Sequence, residues 1–323
     1  MDILKETLTK DLLDEFLRKM LLCRKFEEAI HALYLDGKLY GTAHLGIGEE
    51  ATAVGVCLGL KAQDFVLATH RGHSQALAKG MDINAMMAEI LGKESGSCKG
   101  KGGSMHIADI DAGVLLANGV LGANAPIGCG AALAIKKRKE DKIVACFYGD
   151  GASNLGAIHE SMNLAAVWNL PLLFVLTNNG YGISTKLEDV SRDTSLEKRA
   201  YPFSMPAKTV DGNDCIAVYE ATLEARDYVA KNGPMLLVLD TYRVSGHSKS
   251  DKNVYRSEEE ITKWKEKCPI LRFEKILLEA GVFTKEELET IDIETTAVIE
   301  TALSLGERAK APSLDTLLTD VYA

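Results

Sequence analysis

Apolar positions recur at helical spacing from residue 11 to 34, at Leu12, Leu13, Phe16, Leu17, Met20, Leu21, Phe26, Ile30 and Leu33, with charged residues between them. The pattern stops at Asp36-Gly37, so it predicts a helix over about 8–35. Residues 48–60 are a run of small and apolar side chains and predict a tightly packed helix. A short strand is expected over 65–68 and a helix over about 82–91. From residue 118 continuous apolar runs alternate with helical stretches: helices at 126–137, 154–168 and 214–231, strands at 142–148, 171–177, 207–210 and 235–240. Unbroken apolar strands separated by helices predict an α/β fold, a parallel sheet covered by helices on both faces. The tail over 257–310 reads as helical, and Ser257-x-x-Glu260 and Thr284-x-x-Glu287 match the capping-box pattern. One domain over 1–323 is expected, with a core over about 40–245 and the terminal helices packed on it.

Residues 92–104 break this order. Five glycines and three lysines in thirteen residues exclude the interior of a regular element. Two readings stay open, a mobile surface loop or a loop passing close to a ligand. Composition narrows the function classes. The chain has 323 residues, 46% hydrophobic and 26% charged, enough for a sizeable core and ordinary for a globular protein. Its formal net charge of −9 argues against non-specific nucleic-acid binding. No apolar run approaches a membrane span, and the first residues lack a basic segment followed by an apolar one. The seven cysteines form no C-x-x-C pair. Reduced thiols, a cytoplasmic location and no cysteine-based metal site are therefore expected.

The chemistry concentrates at Gly149-Asp150-Gly151 and at Asn178-Asn179, with twenty-six residues between the two strings. Each lies just past a predicted strand. In an open parallel sheet, ligands bind outside the carboxyl ends of strands. One strand–helix–strand crossover therefore carries a carboxylate and a carboxamide to one edge. Both are hard oxygen donors of the kind Mg²⁺ takes alongside phosphate oxygens and water. The glycines beside Asp150 allow close approach of a phosphate, and a helix beginning near Ser153-Asn154 would aim its amides at the same anion.

The pair at this spacing matches the motif of enzymes that carry thiamine diphosphate through Mg²⁺. With His159-Glu160-Ser161-Met162-Asn163 and Asn179-Gly180-Tyr181-Gly182, the chain resembles the alpha subunit of the first component of 2-oxo acid dehydrogenases and of acetoin dehydrogenase. The likeness extends to His44-Leu45-Gly46-Ile47-Gly48-Glu49-Glu50-Ala51, His70-Arg71-Gly72-His73, Gly100–His106 and Tyr242–Ser248. It implies a thiamine-diphosphate-binding fold of the diphosphate type. It implies Asp150, the Asn179 side chain and the Tyr181 carbonyl as Mg²⁺ ligands, and the Gly151 and Ala152 amides on the diphosphate. Arg71 would pair with the phosphates, beside His70, which stands where many relatives carry Tyr. Gly119 and Leu121 would grip the aminopyrimidine, the Leu121 side chain wedging beneath the cofactor. His73 and His247 match two active-site histidines. Thr177 replaces a Glu frequent in relatives, at a position that is not a ligand.

The activating glutamate of such enzymes belongs to a pyrimidine-binding domain for which this chain has no length to spare. Glu49 and Glu50, in a predicted packed helix, read better as a solvated or interface pair. A beta subunit supplying the glutamate in an α₂β₂ heterotetramer is therefore implied, with a lipoyl-bearing acyltransferase as acceptor of the acyl unit. The small-residue stretches 51–59 and 128–134 would serve either that interface or packing within the chain. The implied reaction is cleavage of acetoin, toward which Gly46–Ala51 leans, or decarboxylation of pyruvate or a branched-chain 2-oxo acid. A non-catalytic scaffold subunit is the alternative from another class. A dinucleotide-binding oxidoreductase would need a Gly-x-Gly-x-x-Gly string that no predicted β-α unit carries.

Overall fold

The computed structural model describes residues 8–39 and 41–320; residues 1–7, Tyr40 and 321–323 of the expected domain lie outside the described residues. The elements run α1 (Lys10–Leu35), α2 (Glu50–Gly59), β1 (Phe65–Thr69), α3 (His73–Lys79), α4 (Ile83–Ile90), β2 (Val114–Asn118) and α5 (Asn124–Arg138). Then come β3 (Val144–Gly149), α6 (Gly156–Val167), β4 (Leu172–Asn178), β5 (Tyr181–Gly182), β6 (Thr185–Lys186) and α7 (Leu187–Val190). The chain continues through β7 (Ala207–Asp211), α8 (Cys215–Asn232), β8 (Met235–Asp240), α9 (Glu258–Lys265), α10 (Pro269–Glu279) and α11 (Lys285–Arg308).

Six strands form one sheet in the order β2-β1-β3-β4-β8-β7, and every pairing is parallel. Successive side chains of a strand point to opposite faces, so an apolar run buries both. Val66, Ala145, Phe147, Leu173, Val175, Leu237 and Leu239 face one core, shared with α1, α2, α4, α8, α10 and α11. Leu67, Val144, Cys146, Tyr148, Leu172, Phe174, Leu176, Leu236 and Val238 face the other, with α5 and α6. The chain leaves β1 toward β2 and returns to the other side of β1 with β3. The sheet's switch point thus falls between β1 and β3, where a crevice opens at their carboxyl ends.

The helix over 48–60 is α2, and its small face packs within the chain. A Cβ at Gly55 would lie 2.7 Å from the Val218 side chain, and one at Gly59 would lie 2.6 Å from Thr222 Cβ. These two glycines let α2 and α8 approach closely. On α5, Gly128 faces Leu172 and Leu67, while nothing lies within 4 Å of a Cβ at Gly130.

Several elements depart from the sequence pattern. β2 and α3 have no counterpart among the elements the pattern predicts. The stretch 185–203, for which the pattern predicts no element, holds β6, α7 and a 3-10 stretch over Leu196–Phe203, whose Leu196 and Ala200 join the second core. Thr284 and Glu287 form the full capping box. Ser257 accepts from the Glu260 amide, but the Glu260 carboxylate accepts the hydroxyls of Tyr181 and Tyr242 instead of closing the box.

The glycine- and lysine-rich segment wraps a buried carboxylate. Glu89 of α4 is fully buried, and its oxygens accept the backbone amides of Cys98, Gly100, Gly102 and Gly103 at 2.7–3.0 Å. Hydrogen bonds to a charged acceptor contribute about 1.5–3 kcal/mol each. Glu89→Ala is therefore expected to speed amide exchange across 98–103 by more than about a hundredfold. Unchanged exchange would show that the segment holds its shape without the carboxylate.

Candidate active site

The carboxyl ends of β1, β3 and β4 border a cavity of about 580 Å³. His70 and Arg71 follow β1, Asp150, Gly151 and Ala152 follow β3, and Asn179, Tyr181 and Gly182 follow β4; all eight line it. Leu121, His247, Glu49 and Arg243 line it too. Gly119 does not, although its neighbours Asn118 and Val120 do.

Asp150 is 1% exposed, and its Oδ2 has no hydrogen-bond partner. Burial raises its pKa to about 6, against the opposing pull of nearby backbone amides and Arg243. A buried carboxylate oxygen without a donor is costly unless a cation meets it. Asn179 Nδ2 donates to Glu49 Oε1 at 3.0 Å, and Asn179 Oδ1 accepts a long 3.4 Å bond from the Tyr181 amide. The amide oxygen is thus held toward the loop that carries Tyr181. A Cβ at Gly151 would lie 2.9 Å from Gly182 Cα, so the two loops meet backbone to backbone. The amides after Asp150 belong to a 3-10 turn over Gly151–Asn154, and α6 begins at Gly156, later than its sequence suggests.

Arg71 is 6% exposed, and burial lowers its pKa to about 10, still charged at pH 7. Nη1 donates to Leu45 O at 2.5 Å and Nη2 to His247 O at 3.2 Å, while Nε lies 3.8 Å from Glu49 Oε1. The guanidinium is therefore fixed at the cavity wall and ties the loop after β8 to the loop after β1. Arg243 donates Nη2 to Ile183 O and Tyr255 Oη, and its Nη1 lies 3.5 Å from His247 Nδ1. The His247 amide donates to Asp251 Oδ2 at 2.7 Å. Burial and the two arginines push His247 down to about 4, so its imidazole is neutral at pH 7.

Two expectations change here. Glu49 and Glu50 are buried rather than solvated. Glu49 holds Asn179 and faces Arg71, while Glu50 accepts Arg24 Nε at 2.6 Å and the Gly48 amide. Burial raises the Glu49 pKa, against the opposing pull of Arg71, Arg243 and Asn179. The structure does not bring His73 to the cavity. It is fully buried, with Nδ1 2.9 Å from Glu27 Oε2 and Nε2 2.8 Å from Ser104 Oγ. His73 opens α3 and turns toward α1, while Arg71, two residues earlier, turns toward the cavity. None of residues 92–104 lines the cavity. Glu49 and Arg243 went without a role in the sequence. Their only signal was membership of strings that already carried other candidates.

Similar proteins match the chain over most of their length. The alpha subunit of acetoin:2,6-dichlorophenolindophenol oxidoreductase from Bacillus subtilis is 46% identical over 307 residues, covering 94% of this chain and 92% of that one. The protein of the same name from Cupriavidus necator is 46% identical over 317 residues, covering 98% and 95%. The pyruvate dehydrogenase E1 component alpha subunit of Zymomonas mobilis is 40% identical over 310 residues, covering 95% and 87%. The profile of the dehydrogenase E1 component family matches residues 18–315, and with these relatives it shows that the chain belongs to that family.

Proposed function

We propose that the cavity holds thiamine diphosphate through Mg²⁺, and that the chain is the alpha subunit of a dehydrogenase that cleaves acetoin. The observation that carries this reading is the partnerless buried oxygen of Asp150 beside the oriented amide of Asn179. With the Tyr181 carbonyl these are oxygen donors of the type Mg²⁺ selects. Gly151 and Ala152 offer amides to the diphosphate, and Arg71 balances its charge. When bound, thiamine diphosphate supplies the carbon nucleophile that adds to a substrate carbonyl and takes up the electron pair released on C–C cleavage.

The chain's own residues bind, orient and move protons. Arg243 Nη1 faces His247 Nδ1, which favours a proton on Nε2, available to a substrate oxygen. Among the described residues the carboxylates lining the cavity are Glu49 and Asp150, both at the end assigned to the metal. A glutamate acting on the aminopyrimidine therefore comes from a partner. Val120, Leu121, Ile183 and Val190 line the cavity and are exposed by 45–66%, an apolar rim suited to a beta subunit. A lipoyl-bearing acyltransferase would then accept the acyl unit. Among the described residues no helix is long and apolar enough to cross a membrane.

Acetoin is favoured over pyruvate because the relatives at 46% identity carry acetoin in their names and the Zymomonas protein at 40% carries pyruvate. Dye-coupled turnover of both substrates by the assembled subunits, with thiamine diphosphate and Mg²⁺, tests this. Faster acetoin turnover is expected. Faster pyruvate turnover would reassign the substrate, and no turnover of either with cofactor bound would overturn both. His247→Gln is expected to lower kcat about a hundredfold with little change in KM or Tm. Wild-type kcat would remove His247 from the proton-transfer step.

A further inference from the structure

We infer that His44, His70 and His247 form a second cation site, one that takes a transition-metal ion such as Zn²⁺ through three imidazole nitrogens. One ring nitrogen from each lies within 4.8 Å of the other two. An ion equidistant from three atoms at that spacing would sit about 2.8 Å from each. Each nitrogen would then close by at most about 0.7 Å to reach the Zn–N distance. The rings already converge: His44 stands edge-on to His70 with centroids 4.5 Å apart, and His247 lies 4.9 Å from His44 and 5.7 Å from His70.

Ring nitrogens of His44 and His70 are also available. Both ring nitrogens of His70 and Nδ1 of His44 are buried without a hydrogen-bond partner. His70 is half-buried, yet both its nitrogens are out of solvent contact and without a protein partner, which leaves them open to a ligand. Burial and the neighbouring Arg71 keep His44 and His70 neutral, with lone pairs free. His70 and His247 line the cavity, so an ion and a fourth, exchangeable ligand have an entry path.

Arg71 and Arg243 are the electrostatic objection. Their charge is balanced locally by Glu49, 3.8 Å from Arg71 Nε, and by Asp251, which accepts the His247 amide. Both guanidiniums also spend donors on fixed oxygens, Leu45 O and Ile183 O among them. The two donor sets of the cavity then sort cations by hardness. Oxygens at Asp150 and Asn179 suit Mg²⁺, and imidazoles at the trio suit Zn²⁺, Co²⁺ or Cu²⁺. Zinc at the trio would displace the Nε2 proton of His247 or its Arg243 contact, so it inhibits any turnover that uses that imidazole.

The test uses the full assembled protein, stripped of metal and cofactor and held in excess Mg²⁺ to fill the oxygen site. It does not depend on which substrate the enzyme takes. Calorimetry with Zn²⁺ is expected to show one equivalent per chain that is absent from His70→Gln and from His44→Gln. Co²⁺ is expected to give the intense visible bands of a four-coordinate ion, lost in the same variants. Zinc binding that survives in both variants, or a weak six-coordinate Co²⁺ spectrum in the wild-type protein, would overturn the site. The wild-type spectrum decides the matter even if a variant fails to fold.

Discussion

Asp150→Ala is expected to abolish Mg²⁺-dependent binding of thiamine diphosphate while leaving the fold intact. Asp150 supplies the anionic charge among the three expected ligands, and Asn179 and the Tyr181 carbonyl are neutral. Its Oδ2 satisfies no donor of the protein, so its removal breaks no hydrogen bond at that atom. The raised pKa gives the sign of the stability effect. A carboxyl whose pKa is near 6 when folded and about 3.9 when unfolded favours the fold in its protonated form. That stability is present below about pH 4 and is lost as pH rises through about 6. At pH 7.5 without metal the variant is therefore expected to match or exceed the wild type in stability, by up to about 3 kcal/mol. The advantage should fade as the pH falls toward 4. Calorimetric titration with and without Mg²⁺, and denaturation at both pH values, read the two effects separately. Retained tight, Mg²⁺-dependent binding would move the metal to other residues.

The second large effect lies at the opposite edge of the sheet. Asp64 is fully buried just before β1, and its carboxylate accepts Arg226 Nε and Nη2 at 3.1 and 3.2 Å. It also accepts the amides of Ile143 at 2.9 Å, just before β3, and of Lys61 at 2.8 Å. Loss of one partner from a buried pair leaves an uncompensated charge and costs about 3–5 kcal/mol. Asp64→Ala is expected to destabilise the protein by that amount, because Arg226 keeps only Asp141, which is well exposed. Adding Arg226→Met should recover part of the loss, since replacing both partners removes the orphaned charge. Urea denaturation of the wild type and the two variants measures it. A loss below about 1 kcal/mol for Asp64→Ala would mean that Arg226 relaxes into solvent.

Much of this was legible in the amino-acid pattern. β3, β4 and β8 read as continuous apolar runs because both faces of a central parallel strand are buried. β2 was not legible. It is an edge strand, three of its five residues are only partly buried, and its polar exit resembles a loop. At the site, Asp150 and Asn179 stood out because each directly follows an apolar strand, so one crossover explains their proximity. Glu49, Arg243 and His44 reach the site region from the ends of other elements. Nothing local in their strings distinguishes them from neighbours that point elsewhere. Glu49 and Glu50 are adjacent and chemically alike, yet one holds Asn179 and the other holds Arg24.

The linear pattern alone determined the class of fold and the edge of the sheet at which Asp150 and Asn179 meet. Those depend on periodicity and on residues next to strand ends, both of which are local. The tertiary structure alone decided which histidine faces the cavity. His73 and His247 both sit close to an arginine in sequence. His73 is turned by the start of α3 into the core, where Glu27 and Ser104 satisfy both ring nitrogens. His247 is carried by the loop after β8 to the cavity wall, where Arg71 holds its carbonyl. That choice depends on the direction a helix or loop gives to a side chain, and on partners more than thirty residues away.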